Sequence, residues 1–447
     1  MTGFSIDLCD ADQAGPEDPC GIRIAAGDTV FTRLLREPAN RPDDSVIAPP
    51  AQLAFWLCDN WWRLRWEGIC AGRQTAEWRL AHDLSSIGGG YAWPRLAVWG
   101  DLDRIGLMSR SDPVGVVGPV RYLIDALRFV DARDFEMAVD RYLDRVSDNE
   151  HGFGSDRDAL RSLIGTLREE REDSEIAIWR RLEARLGYDP DMGPEAAIVE
   201  AGDLASRFGL ESVEEAIAAS PGADASHTLA CELEMADKAG QKCDFSLVSE
   251  IGEIQRNPSE PPWVAAEKAA EQVRSVAGIG SERLLNKRLA KLLGVQPTVF
   301  SLPTSSGQPP YGLRLRVSGS GERQAVSLRS RRPQGRRFEL CRALGDTLWA
   351  RNDAMGPLAT NTSNTARQRF QRAFAQSLLC PFEALRNFLG SDSPEDEDIA
   401  AAAGHFHVDP SVVRSLLINK NVIERASLSR LDASLDQASF LEMLDAA

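Results

Sequence analysis

Arg337-Phe338-Glu339-Leu340-Cys341-Arg342-Ala343-Leu344-Gly345-Asp346 is the stretch on which the reading of this chain turns. A helix that holds zinc sets two histidines four residues apart on one face, with a glutamate after the first as general base. Here those three places hold Arg342, Ala343 and Asp346. An arginine stays protonated and repels a metal, an alanine takes no proton, and a single aspartate does not make a zinc site. The stretch has the frame of a metal helix without its chemistry. No catalytic residue and no resident cofactor are therefore expected, and zinc is expected only if other ligands stand in.

The flanks repeat the pattern in order. Candidate strands at 313–317 and 325–328 enclose Ser318-Gly319-Ser320-Gly321, which is turn chemistry. After the altered helix comes Phe374-Ala375-Gln376-Ser377-Leu378-Leu379-Cys380-Pro381, then a helix pair at 399–404 and 410–417, then Asn419-Lys420-Asn421-Val422-Ile423. Together these segments resemble the ImmA/IrrE family of bacterial metallopeptidase-like proteins over roughly 295–424. Members of that family show a strand hairpin, an Arg-Phe-x-x-Ala-His-Glu-Leu-x-His helix and a Glu-x-x-x-Phe-Ala-x-x-Leu-Leu-x-Pro helix. The resemblance implies a zincin-like domain, and active relatives cleave helix-turn-helix repressors. It also implies a third ligand four residues before Phe374, where this chain has Phe370.

All the metal positions of that frame are thus substituted. Phe370, Phe374 and Leu378 recur at helical spacing, so position 370 is expected to pack against apolar neighbours. Arg342 and Asp346 stand at i,i+4 and are expected to bond to each other across the old cleft, as an exposed pair worth about 0.3–0.5 kcal/mol. Should a metal bind after all, the fallback ligands are Asp346, His405, His407 and Cys341. The two histidines, at i,i+2, do not share a helix face.

Composition sets the outer bounds. The 447 residues suggest two or three domains, and 43% hydrophobic with 26% charged residues is ordinary for a folded soluble chain. No apolar run reaches membrane-helix length, and the acidic start lacks a signal core, so the chain is expected in the cytoplasm and off the membrane. The eight cysteines form no Cys-x-x-Cys pair and are expected to be reduced and mostly buried. A formal charge of -16 disfavours a nucleic-acid surface. Locally the sign reverses. Between 312 and 342 nine arginines face only Glu322 and Glu339. A solvated hairpin accounts for this; the sharper reading makes Arg314, Arg316, Arg329, Arg331, Arg332 and Arg336 an edge-strand docking surface for an acidic partner, nucleic acid, or the chain's own acidic stretch at 391–398. The helix pair near 399–417 has a repressor-like rhythm, but offers little beyond Arg414 and Lys420 for phosphates, so DNA binding stays a minor alternative.

Upstream, seven of the ten tryptophans fall between Trp56 and Trp99, which predicts a concentrated aromatic core. A helix over 52–66 carries two apolar stripes, one through Leu53, Leu57, Trp61 and Leu64, the other through Phe55, Cys58, Trp62 and Trp66. It must be buried on both, within its own domain or under a partner. Ser155 and Asp158 read as a helix cap, and the region to 294 reads as helical. Gly88-Gly89-Gly90 and Gly278-Ile279-Gly280-Ser281 lack the residues of a phosphate loop and read as turns. The expected fold class is α+β, mostly helical: a mixed α/β Trp-rich domain over 1–150, a helical region over 151–294, a peptidase-like domain over 295–424 and a C-terminal helix over 425–447. The expected function is a noncatalytic regulator or sensor that binds a protein partner; the alternatives are a zinc-dependent endopeptidase with unusual ligands and a DNA-binding regulator.

Overall fold

The structure is a computed structural model, and it describes residues 3–9, 18–37, 40–69, 75–113, 118–148, 156–219, 222–251, 254, 260–301, 312–317, 323–350, 353–358, 365–391 and 393–423. The turn at 318–321, the Pro-rich break at 303–310, the cap at Ser155 and the helix at 425–447 lie outside the described residues. The class is α+β and mostly helical, with small antiparallel sheets. The chain divides into two compact units, Met1–Ile69 with Arg73–Ile198, and Cys70–Gly72 with Val199–Ala447. Residues 156–198 fall in the first unit and 199–294 in the second.

In the first unit, β1 (Phe4–Cys9), β2 (Cys20–Ala26) and β3 (Thr29–Val30) form a sheet that β6 (Val46–Ala48) joins along β2. The short strands β4 (Leu34–Arg36), β5 (Arg41–Asp43) and β9 (Val120–Tyr122) make a second sheet. A third runs in the order β10 (Ala126–Asp131), β8 (Arg104–Ser109), β7 (Leu96–Asp101). The helices are α1 (Pro50–Trp66), α2 (Ala76–His82), α3 (Ala132–Asp148), α4 (Asp156–Glu172) and α5 (Ser174–Arg185). Pro50 opens α1 because its fixed φ suits the first helical position and it has no amide hydrogen to leave unpaired. Both apolar stripes of α1 are covered within the unit: it packs on β7, α2 and α3 and also on α4 and α5. That second cover explains why 156–185 belongs with the N-terminal region. Trp56, Trp61, Trp62, Trp78, Trp93 and Trp99 are all buried, as the clustering predicts. At the end of α1 the buried His82 donates from Nδ1 to the Val98 carbonyl (2.6 Å), and its Nε2 lies 2.9 Å from Glu67 Oε2, which also accepts from Arg63 Nε (2.6 Å). Burial pushes the Glu67 carboxyl up, but His82 and Arg63 overcome it and hold it below the usual carboxylate range.

The division between units falls within α6 (Glu195–Phe208). The second unit continues with α7 (Leu210–Ala219), α8 (Ala225–Ala239), β11 (Gln241–Asp244), α9 (Pro262–Val276), α10 (Asn286–Leu293), β12 (Gly312–Arg316), β13 (Arg323–Ser327), α11 (Pro333–Trp349), β14 (Met355–Leu358), α12 (Ala366–Leu379), α13 (Phe382–Leu389), α14 (Asp396–Phe406) and α15 (Pro410–Asn419). Its sheet is antiparallel in the order β11-β13-β12-β14. The predicted hairpin is present, but both its strands are internal. Leu313 and Leu315 alternate with Arg314, so the arginine points to the opposite face of the sheet, the side of α11. Helix α11 packs on α12, which in turn packs on α9, around a core that includes Leu340, Leu344, Phe370 and Phe374. No helix among the described residues is long and apolar enough to cross a membrane.

Candidate functional site

Asp346 lies where α11, α12, β12 and β14 meet, and the space around it is filled. Asp346, completely buried, is the hub. Its Oδ1 accepts from Arg367 Nε (2.7 Å) and Gln371 Nε2 (2.6 Å), and its Oδ2 accepts from Arg314 Nε (2.8 Å) and Arg367 Nη2 (3.0 Å). A carboxylate has about four lone-pair sites, and all of them are taken. Arg367 supplies the two-pronged fork from the first turn of α12, which Thr365 caps by accepting from the Gln368 amide. The shell outside adds further bonds, although Gln324 Nε2 and Arg342 Nε are buried without a hydrogen-bond partner among the described residues. Arg367 Nη1 also donates to Asp353 Oδ2 (2.9 Å), and Arg314 reaches the Gln324 side chain (3.2 Å) and the Met355 carbonyl (3.3 Å). Ser212 on α7 donates toward Asp353 and Met355.

The electrostatics follow from this geometry. Burial alone raises a carboxyl, but Arg367 and Arg314 reverse the effect and hold Asp346 at about 2. Arg367, in the bidentate pairing, is pushed up against its burial. Arg314 goes the other way, because burial and the charge of Arg367 outweigh its share of Asp346. One carboxylate divided between two guanidinium groups gives that asymmetry. Space is as full as charge. A Cβ on Gly356 of β14 would lie 1.7 Å from Asp346 Oδ2, and one on Gly345 would lie 2.6 Å from the Phe374 ring. Only glycine lets β14 pass this close to the carboxylate and α12 this close to α11.

Several expectations need correction here. Arg342 does not bond to Asp346, and the two are not exposed: Arg342 Nη2 donates to Gln368 Oε1 (2.5 Å) and Gln371 Oε1 (3.0 Å). Burial drives its guanidinium down to about 10, against the pull of Glu339 and Asp346. The same glutamines donate to the Pro357 carbonyl, which ties α12 to β14. Ala343 is buried in the core, and Phe370 is buried against Trp349 (5.0 Å) and Phe374 (6.3 Å), the apolar packing its spacing predicts. The fallback ligands do not converge. Cys341 is buried, and burial pushes its thiol up to about 12; His405 stacks on Phe388 at 4.5 Å; His407, in the left-handed region, caps α14. Among the described residues no three His, Cys, Asp or Glu side chains gather as a metal site.

The arginine surface shrinks in the same way. Arg314 and Arg336 are buried; Arg336 donates to the Ser330 and Val299 carbonyls, so both hold the fold rather than face a partner. Arg316 and Arg329 are half-buried and partnered. Of the six candidates Arg331 and Arg332 are exposed, with Arg332 3.7 Å from Asp409. Edge-strand docking on the hairpin is excluded because β11 and β14 flank it on both sides. The acidic stretch does not dock on the arginines either: Glu395 and Asp398 form a capping box for α14, and Asp396 pairs with Arg414 (2.6 Å). Lys420 pairs with Glu267 (2.8 Å), so the cations a repressor helix would need serve internal contacts.

The residues that complete the site, Arg367, Gln368, Gln371, Asp353, Ser212 and Gly356, were not singled out from sequence. The nearest signal was Arg367-Gln368 and Gln371, which sit on the helix that carries Phe370 and Phe374. No protein-family profile, no curated protein and no solved structure matches this chain.

Proposed function

We propose that this chain is a noncatalytic, peptidase-like regulator that works by binding a protein partner, of the helix-turn-helix repressor or toxin-system kind, in bacterial stress, mobile-element or defence control. The observation that carries the reading is the saturation of Asp346 by four donors at the centre of the altered frame. A zinc endopeptidase needs ligands with free lone pairs and a base able to take a proton from water. Asp346 has no lone pair left and is held at about 2, and the neighbouring Cys341 remains a thiol. What supports binding instead is the exposure of Arg331 and Arg332 just ahead of α11, next to the bonded cluster around Asp346. The sheet edge at β14 is closed to a peptide, since side chains occupy its Met355 and Pro357 carbonyls.

The test is a photo-crosslinking side chain at the exposed Gln334, in cells of the source organism, read by mass spectrometry. The expected result is one defined protein adduct that disappears when Arg331→Glu and Arg332→Glu are combined. Adducts to nucleic acid alone, or a protein adduct indifferent to the reversal, would overturn the reading.

A further inference from the structure

Of the seven cysteines among the described residues, five are buried, Cys9 is half-buried, and Cys231 alone is exposed. Burial pushes the thiols of Cys58, Cys243, Cys341 and Cys380 up to about 12, so they keep their protons at neutral pH. Cys231 sits on α8, which packs on β12, β13 and α7 with Leu229, Leu233 and Ala236 buried. The other side of the helix is exposed, and there His227 and Cys231 stand one turn apart.

Their spacing brings a nucleophile and a base together. Cys231 Sγ lies 3.8 Å from His227 Nε2, and from α6 the half-buried Glu200 places Oε1 3.7 Å from His227 Nδ1. The order is thiol, imidazole, carboxylate. Nε2 can take the thiol proton only when the ring carries its hydrogen on Nδ1, and Nδ1 is the nitrogen that faces Glu200. At 3.7 Å the carboxylate acts through its charge rather than as a hydrogen-bond acceptor. It favours that tautomer and steadies the imidazolium that forms on proton transfer. Because His227 and Cys231 are exposed, the group is open to a small reagent arriving from solution.

We infer that Cys231 is a thiol-modification site that exchanges with small cationic disulfides, with His227 as its base and Glu200 as a positioning residue. His227 Nε2 takes the Sγ proton while Sγ attacks one sulfur of the disulfide. The reagent's S–S bond breaks and a mixed disulfide forms at Cys231. The leaving thiolate takes the electron pair of the broken bond and then the proton from the imidazolium, so Cys231 is oxidised, half of the reagent is reduced, and no other oxidant is needed. Charge selects the reagent. Helices α6 and α8 each carry three acidic residues against one basic residue, which attracts a cationic disulfide and repels an anionic one.

The test treats the reduced full chain with cystamine or with glutathione disulfide and follows each cysteine by peptide mass spectrometry. Cystamine is expected to load Cys231 ahead of the buried cysteines, and about tenfold faster than glutathione disulfide does, with the gap narrowing at high salt. His227→Gln is expected to slow the exchange about tenfold at pH 7, where a free thiol is only a few per cent ionised. At about pH 9.5 it should match the wild type, because a thiol ionises there without a base. Glu200→Gln should show the same pattern with a smaller deficit, whereas a merely structural role would slow the reaction at both pH values. The inference fails if Cys231 reacts no faster than the buried cysteines, if His227→Gln keeps the wild-type rate at pH 7, or if glutathione disulfide is the faster reagent.

Discussion

Each unit buries arginines around one central side chain, and the two clusters differ in what the arginines are given. Around Asp346, two guanidinium groups and a glutamine amide meet one carboxylate, and every strong donor and acceptor of the pairing is used. Around Trp66, three guanidinium groups meet an aromatic ring, and one of them, Arg185, has no oxygen to bond among the described residues. A saturated cluster locks elements together and leaves nothing for a substrate. An unsaturated one weakens the resting fold. The position where sequence points to an altered metal helix is the saturated cluster, and the tryptophan helix that reads as plain core borders the unsaturated one.

Substitutions sharpen that contrast. Asp346→Ala should be the most damaging, because it strands Arg314 and Arg367 as buried charges; urea unfolding should show a loss of about 3–5 kcal/mol. A loss under about 1 kcal/mol would mean that water already serves those arginines. Arg185→Met in the other cluster should change stability in the opposite direction, so the sign alone separates the two. Gly356→Ala should cost about 3 kcal/mol in the same assay, near the top of the overpacking range, since its methyl group would displace the Asp346 carboxylate.

Acid should expose the first cluster next. The folded state holds Asp346 at about 2, below its ordinary 3.8, so its contribution is full above pH 4 and is lost as the pH falls toward 2. The shift corresponds to about 2 kcal/mol. Melting curves between pH 5 and pH 2 should therefore fall more steeply for the wild type than for Asp346→Asn; parallel curves would contradict the assignment. The smallest effect should come from Arg331→Glu, an exposed residue, whose unfolding free energy should stay within about 0.5 kcal/mol of wild type.

Much of the architecture was legible in the chain. The double stripe on α1 demanded cover on two sides, and α4 and α5 supply it. The strands around 313 and 325 and the helices bearing Arg342 and Phe374 appear where spacing and turn residues place them. The boundary between units was not legible, because helices from 156 to 293 share one kind of amphipathic pattern, and their tertiary contacts decide which body each joins: α4 and α5 pack on α1, α7 and α8 on the sheet of β12, β13 and β14, and α9 on α12. Nor was the fate of the arginines. Arg314 and Arg316 look alike on a strand of alternating residues, yet Arg314 is buried, and the charge that permits its burial lies on a helix 32 residues away. The polar cluster around Asp346 depends on Arg367, Gln368 and Gln371, whose residue types usually mark a solvated helix face. Pairing across elements, not composition, takes them inside.

The central claim is that Asp346 is the centre of a closed salt-bridge hub and not a metal ligand, and metal content tests it most directly. Untagged protein, exchanged briefly against a weak chelator, is measured by elemental mass spectrometry. The expected result is less than about a tenth of an equivalent of zinc, with no change on Asp346→Asn. Close to one equivalent, lost on that substitution, would mean that Asp346 serves a metal and that the reading of a noncatalytic regulator is wrong.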